Sequence, residues 1–239
     1  MDFNELRKQF ESMSEEEKQE RDRKILEQRE KQEAVQKNIK QQKEQERQNA
    51  YFNSLPKRYK NASFENFIGL EEDRKKIEKL TGGIIYGSNG NGKTHLGYAA
   101  CCKVVENGGK AELITAKDLF DLIKKEFNNP NNSGNTIKHY ASLDFLVIDE
   151  CDKIYGSQTE YLSLIELIGK RYNELLPTLI ISNCNSLKEL AELISLSCID
   201  KLREGEKLAF IDEKGLKYKS MRGKEEQAWL KEQQSSIKQ

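Results

Sequence analysis

The sequence carries no excess of charge of either sign: 40 Lys and Arg stand against 40 Asp and Glu, a formal net charge of zero with neutral histidines. A chain so balanced has no global field to draw in a polyanion, so any nucleic-acid surface has to be a local patch. No apolar run approaches the length of a membrane span, and the acidic N-terminus lacks the hydrophobic stretch of a signal peptide. The expectation is a cytoplasmic protein with no membrane partner. The five cysteines, Cys101, Cys102, Cys151, Cys184 and Cys198, form no C-x-x-C pair and sit among apolar neighbours. That spacing argues against a zinc site and for reduced core thiols. No internal repeat is visible.

Glycine and proline are missing from Met1 to about Asn49, a stretch built almost wholly of Glu, Lys, Gln and Arg. These are strong helix formers, so the reading is a long helix or helical hairpin. Phe3, Leu6, Phe10 and Met13 step by three and four and line one apolar stripe. Beyond it Ile25, Leu26, Val35 and Ile39 are too sparse for a sustained coiled-coil seam. Two readings of the arm stand: a solvated charged helix, or a stripe from Phe3 to Met13 that docks in a partner's groove. Pro56 and the aromatics from Tyr51 to Phe67 end this pattern. The domain reading is therefore an arm over 1–54, a core over 55–222 and a polar tail over 223–239.

What is present begins with Gly87-Ser-Asn-Gly-Asn-Gly-Lys-Thr94, in which Gly87, Gly92, Lys93 and Thr94 fit the phosphate-cradling pattern G-x-x-x-x-G-K-[ST]. Gly87, Gly90 and Gly92 permit the backbone that turns successive N–H groups around an anion. Ser88, Asn89, Asn91 and His95 complete the binding stretch. Lys93 supplies a point charge for the β/γ oxygens, and the Thr94 hydroxyl a ligand for Mg²⁺ at a helix N-terminus. A chance Gly/Asn-rich turn would match the same letters. Here, however, a short apolar strand, Gly83 to Tyr86, precedes the loop, and a helical pattern from Thr94 to Val105, stopped by Asn107-Gly108-Gly109, follows it.

Downstream, strand and helix patterns alternate, which predicts a parallel sheet with helices on its faces. Strands are expected at Ala111–Thr115, Leu143–Glu150 and Thr178–Ser182. Helices are expected at Leu70–Leu80, around Leu119–Phe127, and over Ser157–Leu175 with Leu162, Leu164, Ile165 and Ile168 inward. A further helix opens at a Ser186/Glu189 capping box and runs on to Arg203. The polar run from Asn128 to Thr136 reads as an exposed mobile loop, and Leu208–Ile211 with Leu216–Lys219 as a hairpin. The strand Leu143–Glu150 ends in Asp149 and Glu150, placed next to the phosphate-loop strand at the sheet edge where doubly wound folds bind ligands. Asp149 suits Mg²⁺, and Glu150 suits the orientation and deprotonation of an attacking water. Asn183, ending a later strand, is the candidate polar group near the γ-phosphate; as a bare residue it is equally a turn former.

Taken together, GSNGNGKTHL, LDFLVIDE, TLIISN, IDKLREG with KYKSMR, and the lead-in SLPKRYKNASFENF resemble the AAA+ ATPases of the DnaC/IstB group over roughly residues 55–222. The resemblance implies an α/β AAA+ P-loop core that binds and hydrolyses ATP with Mg²⁺. By analogy with bacterial and phage DnaC-type helicase loaders, it implies delivery of a replicative hexameric helicase to single-stranded DNA, with the arm holding the helicase. The alternative within the group is a transposase-assisting ATP-dependent DNA-binding protein. By the same analogy Asn183 matches the first sensor, and the stretch from Ala116 to His139, with Lys117, Lys124, Lys125, Lys138 and His139, matches a DNA-touching insertion. Phe120, Phe127 or Tyr140 would offer stacking faces there; against this, isolated lysines usually belong to a solvated helix face, and Phe120 and Phe127 lie on the apolar stripe, where a core role is the stronger reading. The chain departs from the group at Ser195-Leu-Ser-Cys198, where an arginine is usual, and at Lys201. Arg203 is then the candidate arginine finger, supplied to a neighbouring subunit in self-assembly through the ATPase core, and Arg222 the candidate second sensor. A weak finger implies slow turnover, since such an arginine is worth ~10³ or more in rate. Outside the group, a kinase or a non-hydrolysing adaptor are the competing classes. If the docking reading of the arm is right, replacing Phe3, Leu6 and Phe10 with Ser abolishes capture of the partner in a pull-down while nucleotide affinity stays unchanged.

Overall fold

A computed structural model describes residues 14–67, 71–127, 134–154, 156–203 and 208–210. The Phe3–Met13 stripe, the polar run over 128–133, the second half of the expected hairpin, Arg222, Trp229 and Leu230 lie outside the described residues. The chain divides after Tyr51 into two units.

In the first unit, helix α1 spans Glu15–Ser54 without a break, one helix of 40 residues with none buried. Its start is a reciprocal cap that the sequence reading did not single out. The Ser14 backbone N–H donates to Glu17 Oε2 at 2.8 Å, and the Glu17 N–H donates to Ser14 Oγ at 3.3 Å. Ion pairs one turn apart, such as Lys24 with Glu20 at 2.7 Å, decorate its faces. Exposed pairs of this kind add only a few tenths of a kcal/mol each, about 0.3–0.5. The helix stops just before Leu55-Pro56, because the pyrrolidine ring disfavours the helical region for the residue preceding it.

The second unit opens with a 3₁₀ turn, Lys57–Tyr59, and helix α2, Glu71–Glu78. Then come β1 Gly83–Tyr86, α3 Lys93–Glu106, β2 Ala111–Thr115, α4 Ala116–Phe127, α5 Asn135–Ala141 and β3 Phe145–Asp149. A second 3₁₀ turn, Cys151–Lys153, leads to α6 Gln158–Asn173, β4 Thr178–Ser182, α7 Leu187–Ile194, α8 Leu196–Arg203 and β5 Leu208–Phe210. The five strands form one parallel sheet in the order β2-β3-β4-β1-β5. β1, β3 and β4 are buried along their whole length, as strands covered on both faces must be. On one face Ile84, Ile148 and Ile180 share a core with Leu119, Leu164, Leu167, Leu190 and Ile199. On the other, α3 lies so close that a Cβ on Gly97 would stand 2.8 Å from Ile181 Cδ1 and 2.9 Å from Leu113 Cδ1. The end of α3 is a Schellman motif: Gly108, at φ +84°, donates to Val105 O, and Gly109 donates to Val104 O.

The chain departs from expectation in several places. β3 is not next to β1; β4 is inserted between them, a crossover order that strand patterns alone do not encode. Residues 135 and 136 are not loop but the first turn of α5, whose Ile137 and Tyr140 are buried. Leu162 points outward at 55% exposure, because the inward face of α6 is Ser163, Leu164, Leu167, Ile168 and Arg171. The run from Leu187 to Arg203 is two helices, broken at Ser195 with φ +83°. Ser186 does cap α7, but Glu189 receives the N–H of Asn185 instead of closing the box. The complete box is Ser157 with Glu160, at the start of α6. β5 pairs parallel with β1 and so joins the sheet; the partner strand of the expected hairpin lies outside the described residues.

Arg171 is fully buried, with no acid among its hydrogen-bond partners. Its guanidinium donates to Thr178 Oγ1 (2.8 Å), Tyr140 O (2.8 Å), Leu143 O (2.7 Å) and Pro177 O (2.6 Å), joining the end of α5 to the starts of β3 and β4. Desolvation pulls its pKa down to about 10. Arg171→Met should lower the unfolding free energy by about 3 kcal/mol, because the buried carbonyls lose their donors; urea denaturation checks this.

Candidate nucleotide site

Three strand ends and one glycine loop converge at the C-terminal edge of the sheet. β1 ends at Tyr86 and the chain turns through Gly87, Gly90 and Gly92, all at positive φ (140°, 89° and 84°), into α3. Only residues without a Cβ take such a succession cheaply, and it coils the loop around the start of the helix. Lys93 is 5% exposed, and its ammonium is held over the loop by Gly87 O (2.9 Å), Ser88 O (2.7 Å) and Asn91 Oδ1 (3.1 Å). Asn91 is buried too, and its Nδ2 has no hydrogen-bond partner. An N–H₂ sealed without an acceptor costs about 1–3 kcal/mol, which a phosphate oxygen placed in the loop would relieve.

Across the sheet, β3 ends at Asp149, itself 5% exposed. Its Oδ2 accepts from Thr94 Oγ1 at 2.7 Å and its Oδ1 from the Glu150 N–H at 2.7 Å. Burial pushes the Asp149 carboxyl above the usual carboxylate range, opposed by these two hydrogen bonds and by Lys93. Glu150 takes the left-handed region at φ +58°, a strain of about 1 kcal/mol or more for a residue with a Cβ. That twist throws the chain out of the sheet into the Cys151–Lys153 turn, where Lys153 Nζ meets Glu150 Oε1 at 2.6 Å. Asn183 follows β4. Its backbone N–H and its Nδ2 both donate to the Asp152 carboxylate.

Asn89, Gly90, Asn91, Gly92, Lys93, Thr94, His95, Asp149, Glu150 and Asn183 line one cavity of about 280 Å³. Gly87 and Ser88 reach it through their carbonyls on Lys93. Arg203 does not: it lies on α8 beside a separate depression with Tyr172, Asp200 and Lys201. Four further lining residues, Arg58, Tyr59, Asn66 and Phe67, were given no role from sequence. The signal was the sudden appearance of aromatics after Pro56. This lead-in is fixed to α3 by a Tyr59–Tyr98 stack at 4.5 Å and by His95 Nε2, 3.0 Å from Ser63 O.

The basic stretch from Ala116 to His139 is largely neutralised. Lys117 pairs with Asp121 (2.9 Å), Lys124 with the buried Glu160 (2.7 Å), and His139 lies 2.9 Å from Glu112. Phe120 and Tyr140 are 3% and 7% exposed and belong to the core, so neither offers a face for base stacking. The five cysteines are all buried and none is in a disulfide, and desolvation lifts the Cys102 and Cys198 thiols to about 11. No helix among the described residues is long and apolar enough to cross a membrane.

Comparison with known proteins agrees with this geometry. A curated relative, the replicative helicase loader DnaC of Buchnera aphidicola subsp. Acyrthosiphon pisum (strain APS), is 25% identical over 170 residues, 65% of this chain and 69% of its own length. The crystal structure of a DnaC helicase loader superposes with a TM-score of 0.56 at 22% identity, covering 65% of this chain and 99% of that one. The replication initiator DnaA bound to AMPPCP and single-stranded DNA superposes at 0.57 with 20% identity over 66% of this chain; the match spans about half, 50%, of that longer protein. The sheet and its loop are thus those of an AAA+ P-loop NTPase core. A family model described as IstB-like ATP binding protein matches residues 3–195, and the chain belongs to that family.

Proposed function

We propose that this protein is an ATP-hydrolysing loader that grips a replicative helicase through its arm and delivers it to single-stranded DNA. The observation that carries the ATPase half is the meeting of Lys93, the Thr94–Asp149 pair and Glu150 around one cavity with an unsatisfied Asn91 amide. The loader half rests on the likeness to DnaC.

The residues fit a magnesium nucleotide. Thr94 and Asp149 would hold the metal, which when bound neutralises phosphate charge. Lys93, now held by the carbonyls of Gly87 and Ser88, would exchange them for phosphate oxygens. Tyr59, Phe67 and Arg58 form the wall suited to a purine and its sugar. Glu150 orients a water for in-line attack on the terminal phosphate and takes up its proton. Arg203, away from this cavity, would act only on the nucleotide of a neighbouring copy. For DNA, Lys125 and Lys138 are exposed cations of the α4–α5 region; a phosphate backbone there would compete with Asp121 and Glu160 for Lys117 and Lys124. The IstB family match supports a second reading, in which the arm captures a transposase instead.

Turnover of ATP with and without single-stranded DNA tests the enzyme reading: wild type should hydrolyse, and Glu150→Gln should bind ATP with unchanged affinity yet turn over at least ~100-fold more slowly. Co-purification with the replicative helicase, with and without the first 54 residues, tests the loader reading; capture independent of the arm would overturn it. Because the free Asp149 carboxyl is raised, it takes up a proton at a pH where an ordinary aspartate is still ionised. Magnesium-dependent nucleotide affinity should therefore fall as pH drops through that raised value, and Asp149→Asn should flatten the dependence while weakening binding at neutral pH; a fluorescent-nucleotide titration across pH checks this.

A further inference from the structure

Asp152 is not part of the phosphate loop or of the Asp149-Glu150 pair, yet it makes three hydrogen bonds to a residue of the site. It sits in the Cys151–Lys153 turn after β3, while Asn183 follows β4, and these strands pair side by side with Ile148 opposite Ile180. Both residues therefore emerge at the same edge of the sheet. Asp152 Oδ1 accepts from the Asn183 backbone N–H at 2.8 Å and from Asn183 Nδ2 at 3.1 Å; Oδ2 accepts from Nδ2 at 3.2 Å.

A side-chain amide has a donor edge and an acceptor edge of nearly the same shape, and its neighbours decide which edge faces which way. Here the neighbour is a carboxylate, which accepts and does not donate. It holds the nitrogen edge of Asn183, and its grip on the backbone N–H of the same residue removes the freedom to swing as a unit. The sharp exit at Glu150, φ +58°, brings Asp152 back over the end of β4.

We infer that Asp152 is the positioning residue of Asn183: it fixes the amide so that the carboxamide meets the nucleotide cavity in one orientation, with Nδ2 anchored at the turn. The inference rests on the ATPase reading above. It has a chemical consequence. With Nδ2 anchored on a carboxylate, Asn183 acts through a fixed dipole, and its competence depends on a side chain that never touches nucleotide. A loss of Asp152 should leave binding intact, since Lys93 and the loop hold the phosphates, and should impair the chemical step alone. Misplacement of a positioned group by about 1 Å costs on the order of 100-fold.

The test uses the full chain in four forms: wild type, Asp152→Ala, Asn183→Ala and the double variant. Affinity for ATP should be unchanged throughout. kcat should fall ~10- to 100-fold in Asp152→Ala, by a similar factor in Asn183→Ala, and no further in the double variant. Asp152→Asn keeps an acceptor for the Asn183 backbone N–H and should recover part of the rate. The readout independent of turnover is the Asn183 side-chain amide in ¹H–¹⁵N spectra of nucleotide-free protein, which should shift in Asp152→Ala. Additive losses in the double variant, a wild-type rate in Asp152→Ala, weakened ATP affinity, or an unmoved amide signal would each overturn the assignment. Absence of hydrolysis in the wild type itself would instead sink the ATPase reading, leaving the amide signal to decide whether Asp152 holds Asn183.

Discussion

The hydrogen bond from Thr94 Oγ1 to Asp149 Oδ2, at 2.7 Å, is the constraint on which the site depends. It joins the first turn of α3 to the end of β3, two elements whose strands are separated by β4. For a hydroxyl from one and a carboxylate from the other to meet, β1, β4 and β3 have to end level with one another. Parallel pairing in register, Tyr86 opposite Ser182 and Ile148 opposite Ile180, provides that level edge. The fully apolar strands provide the burial that makes the pairing stable and leaves Asp149 desolvated. An acid buried in this way is costly to ionise, and a cation held beside it would offset that cost.

Much of this was legible because the signals were local. The glycine loop demands positive φ at fixed spacing, and the strands before and after it are short apolar runs, so Gly83–Tyr86 and the helix that follows fell where periodicity put them. The acid at the end of a buried strand was equally plain. Spatial order was not: nothing in the letters of β3 and β4 says which of them lies against β1, and both readings satisfy the same hydrophobic pattern. The inward face of α6 was misjudged at Leu162 because three apolar residues in four leave the phase of a helix ambiguous. The break at Ser195 was hidden because a left-handed residue that is not glycine leaves no compositional mark.

The lead-in residues were missed for a different reason. Arg58, Tyr59, Asn66 and Phe67 belong to a segment with little regular structure, whose place is set by tertiary contacts such as the Tyr59–Tyr98 stack. Composition flagged the segment as distinct but could not aim it. Conversely, the basic residues of α4 and α5 looked like one track in sequence, while the fold supplies Asp121 to Lys117, Glu160 to Lys124 and Glu112 to His139. Charge patches are properties of surfaces, and a linear run of cations says little until its neighbours are known.

The guanidinium of Arg171 lies at the far rim of the sheet from the phosphate-loop cavity, where β3 and β4 begin. With Asp152 clasping the opposite rim, the central two strands are tethered at both extremities. Sliding of one strand along the other would have to break both tethers at once. Ser195 turns the chain between α7 and α8, but it is itself buried, and Cys198, Ile199 and Leu202 hold α8 in the same core as the strands.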